Sequence, residues 1–352
     1  MTPRCYLRLE RNLFMSDSLN RSVGEKNKHQ TDASVFLSFF LLLACGLFSS
    51  GCAQNEKAVD LYVDALVLRE FDQDELAVKK LNAAVKADKH FSLAYSLLGD
   101  IHQEKRRYEK SAQSYKKATA LNPYSFKDYF NLGKVYYIMQ KFANAVEAYV
   151  KACELKPKHF DAHLGAAKSY YKLKNYDGAL QYGTQAEQLD PNVAQIQTLL
   201  GDIHASQKDY ELAIGSYKRT LEIDSNDTNV MTVLAFAYLQ TDRSEPAKEL
   251  LNEVLLIEPD NNKAYQYLGY CYLSLNDIDK AIRSYRKAIA INERDWEAMR
   301  GLGVAYMIKA FETKDKALRA DAVRQWRLSL DIKPDQTSRK KLLELIRKYS
   351  RQ

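Results

Sequence analysis

Residues 126–159, FKDYFNLGKVYYIMQKFANAVEAYVKACELKPKH, form one unit of a 34-residue pattern that repeats in phase along most of the chain. Bulky residues recur at helical spacing in its first half, as at Leu132 and Tyr136, and small and aromatic ones in its second half, as at Ala145 and Tyr149. The pattern therefore predicts two helices in each repeat. A period of this length is typical of solenoids built from stacked helical hairpins, whose usual work is to hold a partner.

Two positions of the pattern hold a small residue in every repeat. In the repeats that begin at residues 58, 92, 126, 160, 194, 228, 262 and 296, the eighth position is Ala65, Gly99, Gly133, Ala167, Gly201, Ala235, Gly269 and Gly303. The twentieth is Ala77, Ser111, Ala145, Ala179, Ala213, Ala247, Ala281 and, after a slip of seven residues, Ala322. Because a glycine inside a helix costs about 1 kcal/mol relative to alanine, we expect these positions to mark close contacts between helix backbones.

Proline marks the end of the second helix in most repeats. Five of the seven prolines fall at the same position of the pattern, namely Pro123, Pro157, Pro191, Pro259 and Pro334. Proline has no backbone N–H and disfavours helix in the residue before it, so each of these five predicts a helix end.

At these positions the chain resembles a tetratricopeptide repeat (TPR) protein. That family has a bulky residue at position 4, Leu-Gly at 7 and 8, Tyr at 11, Ala at 20, an aromatic residue at 24, Ala at 27 and Pro at 32. The repeat 92–125 matches with Tyr95, Leu98, Gly99, Tyr115, Ala118 and Pro123. The resemblance implies an all-α fold, an α-solenoid in which TPR helix-turn-helix hairpins form a right-handed superhelix with a C-terminal capping helix.

The chain divides into four predicted segments. Residues 1–52 are a signal peptide or lipoprotein anchor, 53–57 a short tether, 58–336 eight repeats, and 337–352 a capping helix and tail. The repeats are 58–91, 92–125, 126–159, 160–193, 194–227, 228–261, 262–295 and 296–336, the last with a seven-residue insertion between Met307 and Ala322. The capping helix is predicted from the apolar stripe of Leu342, Leu345, Ile346 and Tyr349.

The apolar run Val35–Phe48 predicts a secretory signal. It is short for a helix that must span about 30 Å of hydrocarbon, and the small residues after it suit a cleavage site. The ending at Cys52 resembles the bacterial lipoprotein signal, which implies lipid on Cys52, and Ala53 resembles the residue that directs such proteins to an outer membrane. Cleavage at Cys45, an uncleaved membrane anchor and a start at Met15 remain open alternatives.

Charge and cysteine content exclude two further classes of site. The net charge is +7, residues 1–51 contribute six basic and four acidic groups, and we expect the remaining positive charge to be spread along the chain. No repeat shows a continuous basic stripe, so we predict no nucleic-acid binding. Cys153 and Cys271 lie more than three repeats apart, whereas a disulfide needs Cα atoms within about 7 Å, so both are predicted to be free thiols.

No residue pattern points to catalysis. His159 and His163 are four residues apart and could offer two nitrogens to a metal, but His163 occupies position 4, where the repeat expects a packing residue. Gly301-Leu302-Gly303 belongs to the repeat pattern and lacks the third glycine of a phosphate loop. We predict no enzyme activity, no metal, no cofactor and no small-molecule substrate.

The family resemblance implies a partner-binding groove lined by the first helices, chiefly through positions 2, 5, 9, 12 and 13. In the third and fourth repeats these positions give a basic and aromatic patch of Lys127, Phe130, Lys134, Tyr137, Lys168, Tyr171 and Lys172. In the sixth to eighth repeats they are more apolar, with Phe236, Leu239, Tyr270, Leu273, Val304 and Met307. Contiguous exposed apolar residues usually mark binding sites, so we predict a protein partner that offers a helix or an acidic patch.

Together these features predict a non-enzymatic scaffold for protein–protein interaction. The lipoprotein resemblance implies a membrane anchor in a bacterial cell envelope, with the repeats on the extracytoplasmic side, where the protein would assist assembly of an envelope complex. Three alternatives stay open. The chain could be a TPR adaptor held by an uncleaved anchor, a non-catalytic subunit of an enzyme complex, or a glycan-binding protein that uses tyrosines such as Tyr137 and Tyr171.

Overall fold

A computed structural model describes residues 56–350 of the chain. These residues form seventeen helices and contain no strand, so the all-α prediction is confirmed. The predictions of a signal peptide and of lipid on Cys52 fall outside the described residues. Between residues 56 and 350, no helix combines the length and the apolar character that a membrane crossing requires.

The helices alternate as first and second members of hairpins. The first helices are residues 56–70 (α1), Ser92–Glu104 (α3), Phe126–Ile138 (α5), Phe160–Lys172 (α7), Ala194–Gln207 (α9), Thr228–Gln240 (α11), Asn262–Ser274 (α13) and Trp296–Thr313 (α15). The second helices are Asp74–Ala87 (α2), Tyr108–Leu121 (α4), Phe142–Leu155 (α6), Tyr176–Leu189 (α8), Tyr210–Ile223 (α10), Ser244–Ile257 (α12), Ile278–Ile291 (α14) and Lys316–Ile332 (α16). A single helix, Arg339–Tyr349 (α17), follows the last hairpin.

The chain divides into two compact units, Met1–Phe91 and Ser92–Gln352. The described part of the N-terminal unit is the hairpin of α1 and α2, in which Ala65, Ala77 and Leu81 are buried. In the C-terminal unit each helix packs against the next one along the chain. Neighbouring first helices also contact each other, as α11 does with α13 and α13 with α15, so within this unit they form one shared surface.

Inside a hairpin, position 8 of the first helix packs directly against position 24 of the second. Five repeats pair a glycine with an aromatic ring, as Gly99–Tyr115, Gly133–Tyr149, Gly201–Tyr217, Gly269–Tyr285 and Gly303–Trp326. A Cβ on any of these glycines would lie less than 3.0 Å from the ring, and at Gly269 it would lie 2.6 Å from Cδ1 of Tyr285. The three repeats with Ala65, Ala167 or Ala235 at position 8 carry Leu81, Gly183 or Leu251 at position 24. Glycine therefore occurs where a ring enters, and alanine where no ring does.

Each hairpin turns through one residue with positive φ, and between residues 56 and 350 none of these is glycine. They are Asp72, Arg106, Gln140, Lys174, Lys208, Asp242, Asn276 and Lys314. The left-handed conformation costs a non-glycine residue roughly 1–2 kcal/mol, so the flanking helices must hold it in place. At Lys174 this is done by its own N–H, which donates to the carbonyl of Tyr171 at 2.9 Å, and by the next N–H, which donates to the carbonyl of Tyr170 at 3.0 Å.

The seven-residue insertion lengthens both helices of the last hairpin. α15 has 18 residues and α16 has 17, whereas α3 has 13 and α4 has 14. The residue with positive φ lies at Lys314, four residues later than the 34-residue spacing predicts, and the other three inserted residues enter α16. Each addition is close to one turn of about 3.6 residues. Gly303 and Trp326 consequently still face each other, and Nε1 of Trp326 donates to the carbonyl of Arg300 at 3.3 Å.

α17 caps the last hairpin, as the apolar stripe predicted. Leu342 and Ile346 are buried in the hydrophobic cluster that contains Tyr285 and Trp326, and Leu345 packs against its edge. The cap therefore covers apolar surface that a further hairpin would otherwise have to bury.

The steric role of position 8 gives a prediction about stability. We expect Gly269→Ala to lower the free energy of unfolding by about 1–3 kcal/mol, because the new Cβ must displace the buried ring of Tyr285. Gly215→Ala is the matched control, since a Cβ there meets nothing within 4 Å, and it should raise stability by up to about 1 kcal/mol through helix propensity. Urea unfolding followed by circular dichroism measures both changes. Shifts of the same sign and size in the two variants would contradict the steric explanation.

Candidate functional site

An apolar cavity of about 420 Å³ opens on the shared surface of the first helices. It lies between α11, α13, α15 and the capping helix α17, and we call it the apolar cavity. Its apolar lining is Phe236, Leu239, Tyr267, Tyr270, Leu273, Tyr285, Val304, Leu342 and Leu345. Four predicted groove residues, namely Phe236, Leu239, Tyr270 and Leu273, are thus brought together here, and α17 supplies one wall that position-by-position reasoning did not include.

Two of the three charged residues that line the apolar cavity, Glu297 and Arg300, are engaged with other protein groups, and the third, Lys341, is exposed. Nζ of Lys263 lies 2.8 Å from a carboxylate oxygen of Glu297. Burial opposes ionisation of Glu297, but the hydrogen bond and charge of Lys263 outweigh it and lower the pKa of that carboxyl. Arg300 lies 5.1 Å from the centroid of the Trp296 ring and donates to Oγ of Ser338 at 3.2 Å. Because Glu297 and Arg300 are satisfied internally, the apolar walls remain the main contact area for a ligand, and Lys341 adds one exposed cation on α17.

A second cavity, of about 450 Å³, lies in the predicted basic and aromatic patch. Phe130, Lys134, Tyr137 and Lys168 line it, so four of the seven residues predicted for this patch come together. Nζ of Lys134 is 5.7 Å from the centroid of the Phe130 ring, and burial lowers the pKa of Lys168. This cavity combines cations and aromatic surface, with Asp161 as the one acidic residue in its lining.

The other three residues of the basic patch do not line this cavity. Nζ of Lys127 lies 2.6 Å from the carboxylate of Asp100, and this pairing removes Lys127 as a free cation. The ring of Tyr171 packs on Tyr176, with 6.1 Å between centroids. Lys172 is exposed, and its positive charge acts on Asp202. The patch is therefore less basic than its sequence suggests.

Two residues predicted for the exposed apolar face are buried. Leu239 is 4% exposed but still reaches the lining of the apolar cavity, whereas Met307 does not line it. Met307 is 7% exposed and belongs to the hydrophobic cluster beneath α17, so it does not contribute to a surface. Val304, three residues earlier, is 38% exposed and lines the apolar cavity. The longer hairpin and the cap change which side of α15 is covered.

A glycine at position 6 of a repeat lines both the apolar cavity and the second, basic cavity. The predictions from the sequence did not use this glycine. Position 6 is glycine in two repeats, at Gly165 and Gly301. Gly165 lines the basic cavity next to Tyr149, and Gly301 lines the apolar cavity next to Tyr285. A Cβ on Gly165 would lie 2.5 Å from Cζ of Tyr149. At these two places the ring of one repeat reaches the next repeat, and the absent side chain leaves open volume above it.

Two other rings are fixed by an aspartate at position 9 instead. The hydroxyl of Tyr115 donates to Asp100 at 2.7 Å, and that of Tyr217 donates to Asp202 at 2.8 Å. Lys127 also pairs with Asp100, whereas the residue that corresponds to Lys127 beside Asp202 is Asn229. Burial raises the pKa of Asp202, against the smaller opposing effects of the Tyr217 hydrogen bond and of Lys172.

Structural roles account for His159, His163, Cys153 and Cys271. The ring of His159 accepts a hydrogen bond from the N–H of Ala162 at the start of α7, and Nε2 of His163 lies 2.9 Å from the carbonyl of Pro157. Among residues 56–350, no group of three or more His, Cys, Asp and Glu side chains is arranged to hold a metal ion. Cys153 and Cys271 are free and buried, and burial raises the pKa of each thiol to about 12.

The family assignment rests on a match to a TPR family model. That model is described as the cilia and flagella-associated protein 70 C-terminal domain, and it matches residues 42–302. The chain belongs to this TPR family. Residues 303–352, which include the insertion and the capping helix, lie beyond the matched range.

Solved TPR structures share this fold. The C-terminal part of a TPR repeat-containing protein from Cytophaga hutchinsonii is 18% identical, with a TM-score of 0.55, and the match covers 70% of this chain and 98% of that one. Cut9–Hcn1, an APC/C heterotetramer, is 17% identical with a TM-score of 0.52, over 78% of this chain and 52% of that one. A comparison with curated proteins found no match. The predicted TPR solenoid is confirmed, and this fold is that of a protein–protein interaction scaffold, a class of proteins that are generally not catalysts.

Asp100 and Asp202, which occupy position 9 in two repeats, give a prediction about how stability depends on pH. Burial raises the pKa of Asp202 in the folded state above its unfolded-state pKa of about 3.9. The contribution of Asp202 to stability is therefore fully present below the unfolded-state pKa and is lost as the pH rises through the folded-state pKa. Asp202→Asn removes the buried charge and keeps an acceptor for Tyr217. We therefore expect a higher urea midpoint than wild type at neutral pH, with a difference that shrinks toward about pH 3.

Asp100→Asn is the control for this prediction. It changes the same position of the repeat but breaks the ion pair with Lys127, so no gain at neutral pH is expected. A lower midpoint for Asp202→Asn at neutral pH, or an equal gain in both variants, would contradict the burial argument.

Proposed function

We propose that this TPR protein is a membrane-anchored scaffold of a bacterial cell envelope, and that it binds a partner protein in the apolar cavity. The observation that carries the binding role is the exposure of apolar side chains around one concavity. Tyr270 is 48% exposed and Val304 is 38% exposed, and both line the same 420 Å³ volume. Exposed apolar surface that is contiguous and concave is typical of protein interaction sites.

An amphipathic helix of the partner suits the apolar cavity best. The walls come from first helices that lie side by side, which leaves a groove between side chains such as Phe236, Tyr270 and Val304. A helix enters such a groove with apolar residues spaced three or four apart. Since Glu297 is already paired with Lys263, this binding should depend on apolar contact and respond only weakly to salt.

Photocrosslinking tests the partner site. A photoreactive amino acid placed at Tyr270 or Val304 in the full chain should give one dominant protein adduct in native membranes, and the same adduct from both positions. Leu256 on α12 is the control, because it is 84% exposed and lies on a second helix away from the cavity lining. Equal adducts from Leu256, or none from Tyr270 and Val304, would overturn the assignment of the cavity.

The membrane anchor is proposed from the sequence at Cys52. The apolar run Val35–Phe48 and the small residues before Cys52 support a lipoprotein signal. Lipid on Cys52 would hold the repeats near a bilayer surface, because only residues 53–57 separate it from the first repeat. One acyl chain anchors a protein only marginally, whereas the several chains of a lipoprotein anchor it stably. The repeats would then lie on the extracytoplasmic side, at an outer membrane if the envelope has two.

Intact mass spectrometry of membrane-extracted protein tests the anchor. We expect a mass that starts at Cys52 and includes acyl chains, and we expect Cys52→Ser to abolish it. An unmodified mass that retains Val35–Phe48 would contradict lipidation and would favour an adaptor held by an uncleaved anchor.

A further inference from the structure

The basic cavity lies in a part of the chain that has no net charge. Residues 314–352 contain twelve basic and five acidic residues, and their net charge of +7 equals that of the whole chain. Residues 1–313 are therefore neutral overall, and the expectation that positive charge is spread along the chain is wrong. The two lysines of the basic cavity, Lys134 and Lys168, are consequently a local feature and not part of a generally basic surface.

These two lysines border one concavity from neighbouring first helices. Lys134 lies at position 9 of its repeat on α5 and Lys168 at position 9 on α7, and the two helices contact each other. Within residues 56–350 neither lysine forms an ion pair, and Nζ of Lys134 lies over the Phe130 ring instead. With Asp161 as the one acidic residue, the lining has a net charge of +1.

Lys168 is the cation that gains most from an external anion. It is half-buried, and burial lowers the pKa of its ammonium group although the charge of Asp161 acts in the opposite direction. A charge that is partly removed from water and has no ion-pair partner interacts more strongly with an added opposite charge than an exposed lysine does. The basic cavity therefore favours a ligand that carries negative charge.

Aromatic and aliphatic side chains form the walls and floor of the same cavity. The ring of Tyr149 is 5% exposed, and Gly165 leaves open volume above it. Phe130 packs edge-on against this ring, with 5.9 Å between centroids, and Tyr137 and Leu164 complete the walls. Because packing holds these rings in place, the volume above Tyr149 can accept one large apolar side chain.

Gln195 adds a polar group at the start of α9. Its side chain is exposed and has no hydrogen-bond partner among the described residues. A glutamine amide has donors and an acceptor, which match the C=O and the N–H of a peptide bond. A phosphate ion would leave the rings uncovered, and an uncharged apolar segment would leave both cations without an anion. The lining therefore favours a peptide in which acidic and apolar residues are neighbours.

We propose that the basic cavity is a second binding site of this chain, for an acidic peptide segment that contains an aromatic or large aliphatic residue. The apolar side chain enters the volume above Tyr149, the neighbouring carboxylates pair with Lys134 and Lys168, and Gln195 binds the peptide backbone. No residue lines both this cavity and the apolar cavity, so the second site does not rest on the partner site proposed above.

The two cavities then recognise different chemistry on one scaffold. The basic cavity is lined from α5, α6, α7 and α9, and the apolar cavity from α11, α13, α14, α15 and α17, so two segments can bind at the same time. Attraction between opposite charges draws the acidic segment in, and salt screens that attraction. Binding in the basic cavity should therefore weaken as the ionic strength rises, unlike binding in the apolar cavity.

Fluorescence anisotropy with the full chain tests this proposal. The probe is a short dye-labelled peptide, blocked at both termini, in which a central Phe-Leu pair is flanked by aspartate and glutamate. It should bind the wild type saturably and bind a variant with Lys134→Gln and Lys168→Met at least about tenfold more weakly, because both cations are lost. Two altered probes, one with Asn and Gln for the acids and one with Gly-Gly for Phe-Leu, should each bind the wild type at least about tenfold more weakly.

Matched controls separate this site from general charge effects. Lys287→Gln with Lys340→Gln makes the same charge change at exposed positions on α14 and α17 and should leave the affinity for the probe unchanged, as should Tyr270→Ala in the apolar cavity. Circular dichroism checks that each variant keeps its fold.

Three results would each overturn the proposal: no saturable binding of the probe to the wild type, equal affinity for the probe and an altered probe, or undiminished binding by the variant at Lys134 and Lys168. Tighter binding of an acidic oligosaccharide such as oligogalacturonate, dependent on the same two lysines, would assign the cavity to a glycan instead.

Discussion

In five of the eight repeats, the absent Cβ at position 8 of the first helix is the constraint on which the hairpin depends. It lets the ring at position 24 of the second helix lie directly against the first helix backbone, as Tyr217 does against Gly201. Tyr115, Tyr217 and Trp326 are among the largest fully buried side chains of the described residues. Burial of such a ring contributes roughly 2–3 kcal/mol, which exceeds the cost of about 1 kcal/mol for the glycine. The repeat therefore keeps glycine and ring together, or replaces both.

The same packing positions the candidate binding site. Where the next repeat has glycine at position 6, the ring at position 24 reaches beyond its own hairpin and forms part of a cavity floor, as Tyr285 does at Gly301. Where position 9 is aspartate, the ring hydroxyl is fixed by that carboxylate, as Tyr217 is by Asp202. The residues at positions 6 and 9 near the ring thus decide whether a repeat presents an open apolar cavity or a hydrogen-bonded tyrosine–aspartate pair. The cavities are consequently built on buried, well-fixed side chains.

The fold could be predicted almost fully from the sequence, because the period places small residues, rings and prolines at fixed positions. The site could be predicted only in part. The groove positions located Phe236 and Tyr270, but burial of Met307 depends on how α17 covers α15, and neutralisation of Lys127 depends on Asp100 of the preceding repeat. These contacts join residues about one repeat or more apart, and no pattern within a single repeat contains them. The net charge of +7 in residues 314–352, by contrast, can be counted directly in the sequence, because residues 1–313 are neutral overall.

A double-mutant cycle at position 8 and position 24 of one repeat tests the central constraint most directly. Tyr285→Leu gives the seventh repeat the residue that Leu81 and Leu251 supply in repeats with alanine at position 8. Urea unfolding of wild type, Gly269→Ala, Tyr285→Leu and the double variant yields the coupling free energy. Steric exclusion of a Cβ by the ring predicts that alanine at position 269 lowers stability beside tyrosine but is neutral or stabilising beside leucine, with a coupling free energy of at least about 1 kcal/mol. An equal penalty in both backgrounds would contradict it.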